Sequence, residues 1–468
     1  MSQATVIAFI SYFVAVASIG VIATRRTKSI TDYVIGSRNL SAPVAALSAG
    51  ASDMSGWLLL GLPGAVFISG LQEAWILVGL VVGAWINWRL VAPRLRQETA
   101  ALHNALTLPQ FFARRTRFSG PLLRVMTAVV TIVFFTLYAS AGFVAGAKLF
   151  EIVLGVSYER ALASGALVIV SDTSFGGFLA VSWTDFFQAL LMMGALVVLP
   201  VIGSIDVSVT ASNSHVPSMS WVGVISLLAW GLGYFGQPHI LVRFMAVANP
   251  DDIPKARRIG ISWMLLSGIG AIAVGFVGSS YFVSLDDPEV VLIELARLLL
   301  DPWIAGIILA AILAAVMSTV DSQLLVASTS LVLDVGISKK YPLGLSRVMV
   351  VAVALAAWGI ALNPENRVLD LVAYAWAGLG ASLGPCVLYC LFWKGTTGEG
   401  LIAGMLVGGS TIFFWRNLSG GIFELYEILP AFILACTAIY VVSRMSSTSE
   451  GNHLGSKAGC LNPSRAGP

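Results

Sequence analysis

Asp53, the hydroxyl pair Ser318–Thr319 and the stretch Trp230–His239 each place polar groups inside a segment that is otherwise apolar. Asp53 lies in Gly50-Ala51-Ser52-Asp53-Met54-Ser55-Gly56, within an apolar run over 44–69. An ionised side chain in hydrocarbon costs roughly 3 kcal/mol or more, so it implies a partner or a wet cavity. The flanking glycines loosen a helix there, and Gly61-Leu62-Pro63-Gly64 follows. Backbone released from helical pairing at membrane depth survives only where protein buries it or where it lines a cavity. In 314–322, Ser318 and Thr319 sit beside the Asp321 carboxylate in a second apolar run. Sodium is a hard cation and takes oxygen ligands. The two hydroxyls, with carbonyls from the loosened Asp53 segment, would supply about four or five. The competing reading is that both hydroxyls bond back to carbonyls of their own helix.

The elements that must position these residues are membrane spans. Of 468 residues, 57% are hydrophobic and only 11% charged, against about 25% charged in a soluble domain. Apolar runs near the length of a membrane crossing recur throughout. A net charge of +3, with basic residues scattered in short loops, gives no nucleic-acid footprint. We read thirteen spans, near 4–24, 44–69, 71–92, 122–149, 159–178, 183–205, 220–246, 257–283, 302–333, 346–362, 368–393, 398–415 and 425–444. No basic residue precedes the first, so it is not a cleaved signal peptide.

Arg25, Arg26 and Lys28 follow it directly, which places the first loop inside and the N-terminus outside. Later loops agree. Of the 27 basic residues, only Lys148, Arg160, Arg297, Arg367 and Arg416 fall outside, and the C-terminus falls inside. Cys386, Cys390 and Cys436 lie in expected helices and Cys460 in the tail, with no disulfide or metal spacing. Residues 1–446 form the membrane domain, and 447–468 read as a disordered cytoplasmic tail.

Span seven is interrupted like span two, at Trp230-Gly231-Leu232-Gly233-Tyr234-Phe235-Gly236-Gln237-Pro238-His239. Five spans separate the breaks, which allows two five-helix units, spans 2–6 and 7–11. An odd repeat length inserts the two units in opposite orientations. Paired Gly/Pro-interrupted spans in two halves point to a transporter site near the bilayer midplane. The alternative is close packing of small residues between helices.

Several strings carry a resemblance: SAGASDMSGWLLLGLPGAVF, ALTLPQFF, FFTLYASAGFVAGAKLFE, GGFLAVSWTDFFQA, AWGLGYFGQPHILVRFMA, PWIAGIILAAILAAVMSTVDSQLLV and NPENRVLDLVAYAWAGLG. In that order they resemble the sodium:solute symporter family, most closely its proline-carrying branch, over nearly the whole chain up to the tail. The resemblance implies an all-α, LeuT-like inverted-repeat core and one sodium site shared by spans two and nine. Its ligands would be the carbonyls of Ala51, Met54 and Ala315 and the hydroxyls of Ser318 and Thr319. Asp53 would shape the cavity and add negative charge, and Ser55 belongs to the same unwound turn.

Asp185 matches an acidic position tied to a second sodium in some relatives; a helix cap or a gate residue is the alternative. Arg38 matches an inner-gate position, or serves as a positive-inside anchor. Asp321 stands where familiar proline carriers have a small polar residue, and so adds charge near the ion. For substrate, the resemblance implies Trp230, Tyr234 and Pro238, with Tyr138. Four apart on an α-helix, Trp230 and Tyr234 would share a face and offer aromatic surface to a pyrrolidine ring and its cationic amine. The run Ser171-Asp172-Thr173-Ser174 departs from the family pattern without a physical account.

The implied activity is sodium-coupled import of L-proline by alternating access across a bacterial inner membrane. Sodium is the coupling ion, with no cofactor and no obligate protein partner. Another amino acid, a monocarboxylate or pantothenate is the alternative cargo, and a transporter-like sensor the alternative class. His103, His215, His239 and His453 are scattered, and no grouped nucleophile, base and oxyanion donors mark an enzyme.

Overall fold

The structure, a computed structural model, describes residues 3–206, 219–336 and 342–458; side chains at 171–176, 342–343 and 447–458 lie outside that description. Its elements are helical apart from one isolated β-bridge. In chain order they begin with α1 (Gln3–Thr24), the short α2 (Ile30–Ile35), α3 (Ala42–Asp53), α4 (Leu62–Ser69), α5 (Ala74–Ile86), α6 (Ala92–Ala101) and α7 (Leu108–Thr116). The long α8 (Leu122–Leu154) and α9 (Tyr158–Asp206) follow, then α10 (Trp221–Ala229), α11 (Pro238–Ala246) and α12 (Ile253–Tyr281). The last are α13 (Val291–Leu299), α14 (Pro302–Ser330), α15 (Pro342–Ala361), α16 (Val368–Phe392), α17 (Gly398–Trp415) and α18 (Ile428–Ala458). Among the described residues, ten helical stretches are long and apolar enough to cross a membrane, and Trp221–Gly236 is a shorter apolar one.

Both expected breaks are present. α3 stops at Asp53, and Met54 leaves the helix (φ −82°, ψ 70°). The chain re-enters through a π-turn at Trp57–Gly61 that leads into α4. A second π-turn, Asn87–Val91, joins α5 to α6. Each of these two π-turns ends two residues before a proline, Pro63 or Pro93. A proline ring clashes with the carbonyl four residues back and donates no N–H. The wider turn absorbs that mismatch without ending the span.

The seventh span breaks into α10, a 3-10 stretch Trp230–Gly236 and α11, with Gln237 extended and Pro238 opening the last piece. Gly236 lies so near the Leu379 carbonyl of α16 that any Cβ would collide with backbone. α3 and α11, one piece of each broken span, are tied by the Leu40–Val247 bridge. There the Leu40 N–H donates to the Ala246 carbonyl (3.0 Å) and Ala248 N–H to the Leu40 carbonyl (2.9 Å).

Two element boundaries shift. Spans five and six meet at Gly177 (φ 66°), a kink that divides α9 into two helical pieces, so the interval expected near 178–183 narrows to a single turn residue. A Cβ on Gly177 would meet the Tyr33 ring at 2.7 Å, so glycine serves both the turn and the contact. Beyond the kink, the hydroxyls of Ser182 and Thr184 donate to carbonyls of their own helix. At the other end α18 runs to Ala458, past the boundary near Ser446, and 459–468 fall outside the described residues.

α14 lies at the centre, packed against α1, α8, α9 and α15, with most of its apolar stretch buried. Its polar run is therefore screened from lipid: Ser318, Thr319, Asp321 and Ser322 are at most 1% exposed. Large apolar side chains such as Val14, Leu167, Ile205, Ile269 and Leu355 are left on the outside. That is the surface a hydrocarbon phase would cover.

Candidate functional site

The first break meets the middle of α14. Ser318 Oγ donates to the Ala51 carbonyl at 2.8 Å, and Thr319 Oγ1 reaches the same oxygen at 3.3 Å. Ser318 Oγ also lies 3.1 Å from the Ala315 carbonyl. Both readings of the hydroxyl pair are thus partly realised, since the back-bond exists beside the cross-helix contact. Ala51, Met54, Ala315, Ser318 and Thr319 are all buried. Two carbonyls and two hydroxyls converge from two helices, an oxygen-only set that suits a hard cation. Asp321 is buried one turn along the same helix.

Asp53 faces the second break. Its carboxylate accepts the Tyr234 hydroxyl proton, and its carbonyl accepts from Tyr138 Oη (3.2 Å) and Trp57 Nε1 (3.3 Å). Ser55 takes up the Trp57 N–H within the turn (3.4 Å). Asp53 therefore joins the two broken helices through Tyr234. One oxygen, Oδ1, has no hydrogen-bond partner among the described residues.

The second break has its own supports. Asn87 Nδ2 donates to the Tyr234 carbonyl (2.9 Å), and Trp376 Nε1 donates to the Trp230 carbonyl (2.8 Å). These are carbonyls an intact helix would have paired internally. Trp376 also meets Tyr234 edge-on with ring centroids 5.1 Å apart. The expected shared face of Trp230 and Tyr234 is not formed, because a 3-10 turn aligns residues three apart, not four. Trp230 instead stacks on Tyr426 (5.3 Å) and packs on Trp57 (5.9 Å). Tyr138, Trp230 and Tyr234 are all buried at the second break. Pro238 sits further along, lining a small cavity with Val34, Thr107, Thr131, Val242 and Ser330.

On the side of the Leu40–Val247 bridge, Arg38 is locked by four acceptors. They are Asn104 Oδ1 (2.8 Å), Thr99 Oγ1 (3.1 Å) and the carbonyls of Met245 (2.6 Å) and Ala105 (2.9 Å). Asp185 does not cap a helix end, since it lies two turns inside α9 beyond Gly177. Its carboxylate accepts from Ser48 Oγ (2.6 Å) and pairs with Arg243 (2.8 Å). At the opposite end Glu289 accepts from Lys148 Nζ (2.6 Å) and from the N–H groups of Val368 and Leu369 (both 3.0 Å), closing the start of α16. Sequence reasoning passed over Asn87, Trp376, Tyr426, Arg243 and Glu289. A lone Asn within Trp85-Ile86-Asn87-Trp88 and a lone Arg within α11 were the available signals.

Two interrupted helices that meet at a polar, oxygen-lined point inside a shell of apolar spans define a membrane transporter. The same chain tracing occurs in a Na+-coupled sialic acid symporter solved in a substrate-bound outward-open state. The TM-score is 0.77 at 15% identity, over 95% of this chain and 98% of that one. MhsT in complex with L-phenylalanine shares it more loosely, with a TM-score of 0.56 at 14% identity over 86% of this chain and 98% of that one.

Residues 33–408 match the sodium:solute symporter family, and the chain belongs to it. The sodium/proline symporter of Escherichia coli (strain K12) is 49% identical, over 95% of this chain and 93% of that relative. The high-affinity proline transporter PutP of Bacillus subtilis (strain 168) is 47% identical, over 91% and 94%. A sodium/proline symporter of Staphylococcus aureus is 42% identical, over 93% and 91%.

Proposed function

We propose that this chain is a sodium-coupled symporter that imports L-proline by alternating access across a bacterial inner membrane. One observation carries it: the Ser318 and Thr319 hydroxyls converge on the Ala51 carbonyl at the first break, while Asp53 next along grips Tyr234 at the second. The names of the relatives, each a proline carrier and most of them sodium-coupled, support the cargo.

Sodium would take the carbonyls of Ala51, Met54 and Ala315 and the two hydroxyls, and fasten the first broken helix to α14. That fixes Asp53, and Asp53 fixes Tyr234 beside the aromatic pocket of Tyr138 and Trp230. The amine of proline fits an aromatic face, worth about 0.5–2 kcal/mol. Its ring fits the apolar walls. Pro238 and its cavity lie on the release side. A cation crossing about 100 mV yields about 2.3 kcal/mol, and a tenfold sodium gradient adds about 1.4 kcal/mol. One ion then supports accumulation of a zwitterion by roughly several-hundred-fold. The reading includes thirteen spans, an outside N-terminus, an inside C-terminus, and an inverted pairing of spans 2–6 with 7–11.

The test is uptake of labelled proline into proteoliposomes under an imposed sodium gradient, with other amino acids, monocarboxylates and pantothenate as competitors. Uptake should need sodium and be displaced by proline well before the others. Sodium-dependent uptake better displaced by another solute would reassign the cargo.

A further inference from the structure

One turn from the Ser318–Ala51 contact, toward the Leu40–Val247 bridge, lies a second polar layer centred on a cation. Arg243 of α11 is only 1% exposed. Its Nε donates to Ser48 Oγ (2.9 Å), Nη1 to the His239 carbonyl (2.6 Å), and Nη2 to Asp185 Oδ2 (2.8 Å) and Ser322 Oγ (2.6 Å). One guanidinium thus ties α3, α9, α11 and α14. The Phe178 ring lies against it, 5.5 Å from Cζ to centroid, and packs in turn on Gly36 in the turn that carries Arg38.

Helix direction sets the order of the layers. α3 starts at the Leu40 end and rises to Asp53, so Ser48 is a turn nearer that end than Ala51. α14 runs the opposite way, and Ser322 lies a turn beyond Ser318. Ser322 also donates to the Ser318 carbonyl (2.8 Å), which links the layers directly. A buried carboxylate with two hydroxyls is ligand chemistry for a hard cation. Here the lone pairs of Ser48 and Ser322 are occupied by the chain's own guanidinium, which has donors to spare and no acceptor.

We propose that Arg243 is the inner gate of the ion path, a tethered cation that bars sodium from leaving toward the Leu40–Val247 end until it withdraws from Asp185. The proposal rests on Ser318 and Thr319 being sodium ligands. The guanidinium fills the oxygens a sodium ion would need there, and its charge, partly offset by Asp185, repels a cation one turn away in a dry interior. When the guanidinium swings out, Asp185, Ser48 and Ser322 present a carboxylate and two hydroxyls that pass the ion onward. Phe178, stacked behind the guanidinium, keeps water from bypassing it in the closed arrangement.

The test is radioactive sodium flux through the full-length protein in proteoliposomes without proline, driven by a membrane potential. Arg243→Gln should raise this leak at least tenfold, whereas Arg243→Lys, which keeps the charge, should stay at the native level. A single neutralisation leaves the Asp185 carboxylate buried and unpaired by Arg243, which can prevent folding. The charge-neutral pair Asp185→Asn with Arg243→Gln then carries the test and should leak likewise. Folded neutral variants that stay as tight as the native chain would overturn the proposal. A lysine variant that leaks as much as the glutamine one would reduce Arg243 to a packing role. Proline uptake by the native chain is measured alongside. Loss of its sodium dependence would defeat the sodium-site reading itself, whereas intact dependence with tight neutral variants defeats only the gate.

Discussion

Tyr234 and Asp53 carry the link between ion and cargo at the scale of single residues. The Asp53 carboxylate takes the Tyr234 hydroxyl while its own carbonyl holds Tyr138, and Ala51, two residues back, faces Ser318 and Thr319. A hydrogen bond to a charged group contributes about 1.5–3 kcal/mol, or roughly ten- to hundredfold in an equilibrium constant. Tyr234→Phe keeps the ring and removes the hydroxyl. It should raise both the KM for proline and the sodium concentration for half-maximal uptake by about tenfold or more. A shift in only one of the two would mean the hydroxyl does not join the sites. Asp53 was legible as a lone charge in an apolar run, and Ser318 and Thr319 as paired hydroxyls. Asn87 and Trp376 were not, because their job is to pair carbonyls that only the folded break exposes.

Among elements, breaks written in glycine and proline were read correctly, and breaks absorbed by geometry were not. The Met54–Gly56 and Trp230–Pro238 interruptions both appear where the glycines cluster. The π-turns before Pro63 and Pro93 depend on how a helix accommodates a proline. The 3-10 winding that separates Trp230 from Tyr234 is of the same kind, because residue spacing cannot distinguish it from an α-turn. Gly236 supplies the element-scale prediction. A methyl there meets the α16 backbone, which cannot move aside as a side chain would, and overpacking costs about 1–3 kcal/mol. Gly236→Ala should lower the melting temperature of the purified protein and cut proline uptake severely. Gly359→Ala, where nothing lies within 4 Å, should change neither. Equal effects at both positions would remove the case for close packing at the second break.

For the whole molecule, sequence reached the all-helical membrane architecture because the hydrophobic pattern is distributed along the entire chain. The loop charges predict a direction that labelling can check. Lys28 lies in the first loop, Val283 is exposed at the end of the eighth expected span and Leu418 just beyond the twelfth. In a chain carrying Cys460→Ser, cysteines at 283 and 418 should react with a membrane-impermeant thiol reagent on intact cells. A cysteine at 28 should react only after permeabilisation. Any exchange of sides among the three would break the alternation of thirteen spans.

Every layer of this account depends on an alkali ion at the meeting of the first break and α14. The most direct measurement is the sodium concentration for half-maximal proline uptake in proteoliposomes, for the native chain and for Ser318→Ala combined with Thr319→Ala. Removing two of about five oxygen ligands should raise that concentration by about a hundredfold or abolish uptake, with the protein still folded. A folded double variant with the native sodium dependence would contradict the site.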